Sequence, residues 1–333
     1  MTPKVPMSSS RRMVVRSFAS AATLAFATLA FAAGAWAETW PTRPVKIIVA
    51  YPPGQSTDIA TRYFATKLSA ALGQQVFVEN KPGAFGNIGT AYAARQPPDG
   101  YSIQMSASGP AAINPALYDN IGYDHDKDFE PITATAVIPM MISASPALGV
   151  NSLPELIALA KSRPDKIDVG LASVSAKIVF EMLKQRGAPL FPVNFKGSGE
   201  AMTALLGNQV PVLIDTAAAT RSQLTKIKAL AVTSPKAMTA LPDIKSAAEQ
   251  GLTGFSVTAW NALVVPRGTP QEVKDRLTVE MRKILALPET AKTLSDLGFE
   301  PAPDMKYDEL VLWMRTERQK YGDIIKAAGI KPE

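Results

Sequence analysis

Cysteine is absent from the 333 residues, and histidine occurs once, as His125. The first absence removes thiol nucleophiles, disulfides and thiolate metal sites together. With a single histidine, zinc sets and thiol–imidazole pairs are excluded or nearly so. No G-x-S-x-G, H-E-x-x-H or calcium-loop spacing occurs either. Carboxylates alone could support glycosidase chemistry, but no pair is singled out. No catalytic residue, metal or cofactor is therefore expected. His125 itself sits in the polar run Tyr123-Asp124-His125-Asp126-Lys127-Asp128 and reads as a solvated side chain.

The chain also lacks a basic run in its body. Its formal charge is +6, from 35 basic and 29 acidic residues. Four of the bases, Lys4, Arg11, Arg12 and Arg16, lie in residues 1–37, which carry no acid. Subtracting those 4 from 35 leaves 31 bases against the same 29 acids, a net of +2. Such a balance argues against a nucleic-acid partner. Any anion site must be local.

The basic N-terminal stretch precedes an apolar run from Phe18 to Ala33 and then Ala35-Trp36-Ala37, small residues where a signal peptidase reads. Residues 1–37 are expected to be a signal peptide, with a periplasmic protein starting near Glu38. Ser10–Arg16 approximates a twin-arginine signal; a Sec signal with paired arginines is the plainer reading. The run is shorter than the roughly 20 apolar residues a membrane span needs.

Beyond the leader, short apolar runs alternate with amphipathic ones. Val45–Tyr51 reads as a buried strand, followed by a helix from about Asp58 to Leu72 that Ser56 or Thr57 can cap and Gly73 ends. Gln75–Glu79 and Tyr101–Ala107 are the next strands, with a helix from Ile88 between them. The order predicts an α/β fold with parallel sheets and right-handed crossovers. At this length two lobes are expected. The long apolar stretch Ile132–Ile142 reads as a strand crossing from the first lobe to the second, and Phe255–Val265 as the return. Further strands are expected at Ile167–Ala172, Phe191–Phe195, Val210–Asp215 and Lys228–Thr233. Helices are expected near Leu153–Ser162, Ala176–Arg186, Gly199–Leu206, Pro270–Leu287 and Asp308–Ala328.

In open α/β sheets ligands sit beyond the carboxyl ends of the strands, where helices begin. Two loops suit that place: Tyr51–Asp58, with Gly54, Gln55, Ser56 and Thr57, and Asn80–Thr90, with Phe85, Gly86, Asn87, Ile88 and Gly89. Each leaves a strand, enters a helix and carries glycine that lets main-chain N–H groups approach an anion. The second lacks the spacing of a nucleotide-binding loop. Lys196, before Gly197, either meets a ligand's distal carboxylate or is a solvated lysine. Asp215 either accepts from a ligand hydroxyl or amine or caps the helix that follows. Trp260 lines the cleft or packs the hinge. Asp58 would repel an anion, so its expected role is to steady its own helix.

These residues resemble the Bug-type solute-binding proteins of tripartite tricarboxylate transporters along nearly all of the chain after the leader. The resemblance runs from Trp40-Pro41-Thr42-Arg43-Pro44-Val45-Lys46 through both loops to Ala112–Tyr118, Lys127-Asp128-Phe129, Phe195–Gly199, Ala204–Val210, Leu230–Ser234 and Trp260. It implies the two-lobe periplasmic-binding-protein (Venus flytrap, type II) fold, each lobe a mainly parallel sheet flanked by helices, with two crossover strands. On this reading residues 38–138 plus 262–333 form lobe 1 and 139–261 lobe 2. The resemblance also implies capture of a small mono- or dicarboxylate and its delivery to the membrane subunits of the transporter without chemistry; a monomer is expected, and Gln55 and Phe85, departures from the family pattern at the ligand pole, extend the expectation to aromatic carboxylates. The alternatives are a sensing module for a receptor kinase and, further off, a secreted α/β hydrolase. The two loops would hold one carboxylate, joined by Ser106 and Ser108, with the opposite lobe closing on the other end.

Three departures stand out. Gln55 replaces a second glycine, and Phe85 replaces a glycine. The family's serine- and glycine-rich loop is shortened to Gly170–Ile178, which holds Ser173 and Ser175, with Lys177 near the place of the family's histidine. Gln55 would add amide groups to the ligand pole, or meet only water. Phe85 would add an aromatic wall, or pack outward.

Overall fold

The computed structural model describes residues 40–330 without a break. Residues 4–37 of the expected signal peptide lie outside the described residues. The first strand, β1 (Val45–Val49), has every residue but Lys46 buried, and it runs between β2 (Val76–Asn80) and β3 (Ser102–Ala107), parallel to both. Helix α1 (Ser56–Leu72) connects β1 to β2. It buries Ala60, Phe64, Leu68 and Leu72 at four-residue spacing, one stripe of a 3.6-residue period. Gly73 ends it at φ 68°, its N–H returned to the Ser69 carbonyl. Helix α2 (Asn87–Ala94) connects β2 to β3.

 Next comes β4 (Phe129–Ala144), sixteen residues long, which belongs to two sheets. Only Glu130, Pro131 and Val137 of this strand are half-buried. Residues 129–139 pair antiparallel with β9 (Thr258–Pro266), which also pairs antiparallel with β3. From Met140 onward the partners of β4 change to β7 (Val212–Thr216) and β8 (Lys228–Val232). Strands β5 (Asp168–Leu171) and β6 (Phe191–Asn194) extend that second sheet, parallel to β7. Among the described residues the ten strands therefore connect as β2-β1-β3-β9-β4-β7-β5-β6, with β8 and β10 (Glu300–Pro301) branching from β4. The return to the first sheet passes through Val257, whose N–H still bonds the Thr233 carbonyl, and β9 begins one residue later.

Three helices flank the second sheet: α3 (Leu153–Ser162), α4 (Val174–Gln185) and α5 (Ser198–Leu206). After β9 come α6 (Gln271–Ala286), α7 (Pro288–Asp296) and α8 (Tyr307–Ala327). The helix expected at Pro270–Leu287 is α6, its two end residues serving as caps, while α7 was not expected. Leu287 is extended, as a residue before proline tends to be, and a new helix starts at Pro288. The C-terminal elements also touch the second sheet's side: Arg221 donates to the Ser295 carbonyl at 2.7 Å and Gln185 to the Ala327 carbonyl at 2.9 Å.

Gly89 holds α2 against the first sheet. A Cβ there would stand 2.4 Å from the Lys81 carbonyl oxygen and 2.7 Å from the Ala50 Cα. Gly89→Ala is expected to destabilise the fold by about 1–3 kcal/mol, the usual range for overpacking, as measured by equilibrium denaturation.

Candidate ligand-binding site

The first loop is fastened from beneath by Asp58. Its carboxylate accepts the Gly54 N–H at 2.9 Å, the Asn80 amide at 2.9 Å and the Arg62 guanidinium at 2.9 Å. Burial works against its charge, but Arg62, the Gly54 amide and Asn80 outweigh it and hold the carboxyl below its ordinary range. Asn80 also donates to the Tyr51 carbonyl, at 2.9 Å, so the start of the second loop is tied to the first. Asp58 thus steadies the loop.

Helix α1 begins at Ser56, with Gln55 as its N-cap residue and no side-chain cap bond. Ser56 and Thr57 lie within its first turn, so neither caps it as the sequence suggested. The helix end keeps its partial positive charge uncompensated by its own N-cap. In the second loop Gly83, Ala84, Phe85 and Gly86 all have positive φ, from 45° to 136°. Phe85, at 51°, occupies backbone that favours glycine, which is the residue expected there from the resemblance. The Asn114 side chain donates to its carbonyl at 3.0 Å.

Two chambers adjoin these loops, and Tyr51 and Gln55 line both. The inner one, about 30 Å³, is walled by Ser56, Thr57, Ser108, Ser173, Ser175, Ser198, Asp215, Thr216, Trp260 and Asn261, with Ala107, Gly109, Ile138 and Ala259. The outer one, about 540 Å³, is mostly apolar: Phe85, Phe195, Pro52, Pro82, Ala50, Ala84 and Ala172 line it, with Gly83, Gly86, Asn194 and Lys196. Lys196 is its one charged lining residue. The Gln55 side chain donates to the Ala172 carbonyl at 3.1 Å, joining residues 117 positions apart. It is buried and has this partner, rather than meeting only water. Gly197 allows the approach, since a Cβ there would come within 3.3 Å of both Gln55 and Pro52.

The expected site residues divide accordingly. Tyr51, Gln55, Ser56, Thr57, Ser108, Ser173, Ser175 and Asp215 line the inner chamber, and Phe85, Gly86 and Lys196 the outer. Phe85 also faces a neighbouring cavity with Asn87 and Ile88. Gly54 contributes its N–H to Asp58, and Gly89 serves packing. Asn87 accepts from Asn114 and from the Tyr123 hydroxyl, a role within the scaffold. Sequence reasoning missed Asn261, Ser198 and Phe195. Asn261 had a signal, being a lone polar residue inside the apolar run from Trp260 to Val265. Trp260 both lines the inner chamber and stacks on Trp313, with ring centroids 4.8 Å apart.

Ser106 does not reach either chamber. Its hydroxyl meets His125 Nε2 at 2.8 Å. The expectation of a solvated histidine is corrected: Asp124 caps the short helix His125–Asp128, and the ring turns inward against Phe129, leaving it 5% exposed. Burial, aided by the nearby Arg318 charge, lowers its pKa to about 4. Asp215 is 2% exposed. Burial raises its pKa to about 6, against the pull of the Ser198 hydroxyl and the Thr216 amide. Among the described residues no group of three or more His, Cys, Asp or Glu side chains could hold a metal, and no helix is long and apolar enough to cross a membrane.

A family described as "Tripartite tricarboxylate transporter family receptor" matches residues 60–330. The chain belongs to this family. Protein BugT of Bordetella pertussis is 31% identical over 311 residues, 92% of this chain and 95% of BugT. Among solved structures, Rpa4515 of R. palustris with adipate is 30% identical with a TM-score of 0.86, matching 88% of this chain and all of that one. The periplasmic binding protein BugD is 35% identical with a TM-score of 0.83, again over 88% of this chain and all of BugD. The fold is thus the two-lobe fold of periplasmic binding proteins, and the family member is of the Bug type.

His125 yields a pH prediction. Its folded pKa, about 4, lies below the ordinary 6.5 of an unfolded histidine. Above pH 6.5 both states are neutral; as pH falls toward 4 only the unfolded chain takes the proton, so stability drops through that window. The loss is about 3 kcal/mol. His125→Gln should flatten the fall in thermal stability between pH 6.5 and 4 relative to wild type.

Proposed function

We propose that this receptor-family protein is an exported, periplasmic, monomeric solute-binding protein that captures a small mono- or dicarboxylate and passes it to a tripartite tricarboxylate-type membrane transporter, without chemical turnover. The observation that carries this reading is the uncapped N-terminus of α1 beside the glycine loop, at the rim of chambers lined from both sheets. Fixed main-chain dipoles there suit an anion and cost no reorganisation when it arrives. The adipate held by Rpa4515 supports a carboxylate as the anion.

The outer chamber's volume falls within the usual 300–1,000 Å³ range of ligand pockets. Its Tyr51, Phe85 and Phe195 rings suit an apolar or aromatic ligand body, with one carboxylate at the start of α1 and Lys196 toward a distal one. We place the hinge where β4 exchanges β9 for β7 and β8, between Pro139 and Met140, and at the entry to β9. The expected lobe boundary at 138/139 lies one residue before the first of these. Thr258–Asn261, expected in lobe 2, pair with β4 and β3, and we assign them to lobe 1 on that ground.

Thermal unfolding with a panel of adipate, succinate, benzoate and phenylacetate tests the reading. At about a hundredfold excess over Kd, a true ligand adds about 2.7 kcal/mol of stability, and the melting temperature rises. No shift with any of the four at millimolar concentration contradicts capture of a small carboxylate.

A further inference from the structure

We propose that Phe85 is a specificity-determining residue of this protein: its ring divides the outer chamber from a second cavity behind it and so limits how large an acid the site accepts. This inference rests on the carboxylate reading above.

The backbone of Phe85 is unusual for its residue type. Among the described residues, four that are not glycine have positive φ: Ala84, Phe85, Asp165 and Asn208. Aspartate and asparagine tolerate that region, whereas a bulky side chain there is an outlier that the surrounding structure must impose. Phe85 stands at φ 51° and ψ 34°, directly after Ala84 at φ 45°. What holds it there is buried. Asn114, fully buried, donates to the Phe85 carbonyl at 3.0 Å and to Asn87 Oδ1 at 2.6 Å. The Tyr123 hydroxyl donates to the same Asn87 oxygen at 2.9 Å. None of these bonds involves the ring. Glycine takes up the same backbone without strain, so the role of the ring lies in what it touches rather than in the turn.

Two cavities meet at that ring. On one side is the outer chamber, about 540 Å³. On the other is a cavity of about 560 Å³, lined by Ile88, Ala91, Tyr118, Ile121 and one charged residue, Arg95. Ala84 and Phe85 are the two residues that line both. Ala84 offers a single methyl group, so the partition is chiefly the Phe85 ring. Without the ring the two spaces adjoin, and the room open to a ligand body about doubles. With it, a body too large for the outer chamber meets an aromatic face on a loop that the Asn114 bonds keep from yielding. Overpacking of that kind, like a surplus methylene in a fitted pocket, costs about tenfold or more in affinity.

Calorimetric titration of the purified protein with two series of rising size tests this: succinate, adipate, suberate and sebacate, then benzoate, phenylacetate, phenylbutyrate and phenylhexanoate. In at least one series, wild-type affinity should fall about tenfold or more from the best member to the largest. Phe85→Gly should restore the largest member about tenfold while changing the smallest by no more than a few-fold. Phe85→Tyr, which keeps the ring, should keep the wild-type profile. The same size profile in Phe85→Gly as in wild type overturns the proposal. So does a wild type that binds all sizes alike, or a loss in Phe85→Gly spread evenly over the series. Binding of no acid from either series by the wild type overturns the carboxylate reading itself, which separates the two failures. Phe85→Ala, which also removes the ring, takes the place of Phe85→Gly if that variant does not fold.

Discussion

The architecture turns on the main-chain amides at the start of α1, which the N-cap side chain leaves uncapped. An α-helix leaves its first N–H groups without intrahelical partners, and here no side chain of the N-cap residue takes one up. Everything around that end keeps it in place. Asp58 and Asn80 bind the two loops to each other, Gly89 seats α2 on the sheet, and Gly197 lets the opposite loop approach Gln55. Negative charge is used beneath the loop, where Asp58 is satisfied by three donors, and the open face of the helix is left for something else.

That arrangement separates steadying from recognition. The scaffold's polar groups, among them Asp58, Asn87, Ser106 and His125, have partners within the protein. The inner chamber holds the opposite kind, Asp215 Oδ2, Asn261 Oδ1 and Trp260 Nε1, all without partners among the described residues. Buried polar atoms are nearly always paired, so three unpaired ones around one small chamber are a reason to place recognition there. The aromatic outer chamber supplies surface area, and the inner one supplies direction.

Much of the fold was legible because strands and helices here differ in period. Runs such as VKIIV and VLIDT are short, β-branched and apolar, and α1 shows its stripe at four-residue spacing. The long β4 could be read as a crossing because few buried strands have cause to be so long. The end of α6 was read at Leu287, but α7 was missed because it is nine residues long and buries only Thr290 and Leu294, too little to show a stripe. For the site, glycines and turn residues marked both loops. What the sequence could not give was direction: His125 in an acidic run turns inward, Ser106 faces that histidine, and Asn87 faces Asn114 and Tyr123. Those outcomes depend on contacts between residues far apart in the chain. Asn261, distant from both loops, reaches Thr57 only because β9 returns beside β3.

The most direct measurement of the central claim is amide NMR of ¹⁵N-labelled protein during titration with a carboxylate it binds. Saturable shifts should concentrate at the Ser56 and Thr57 amides, with one dissociation constant for both. If binding saturates while those two amides stay unmoved and other regions shift, the start of α1 is not where the anion is held.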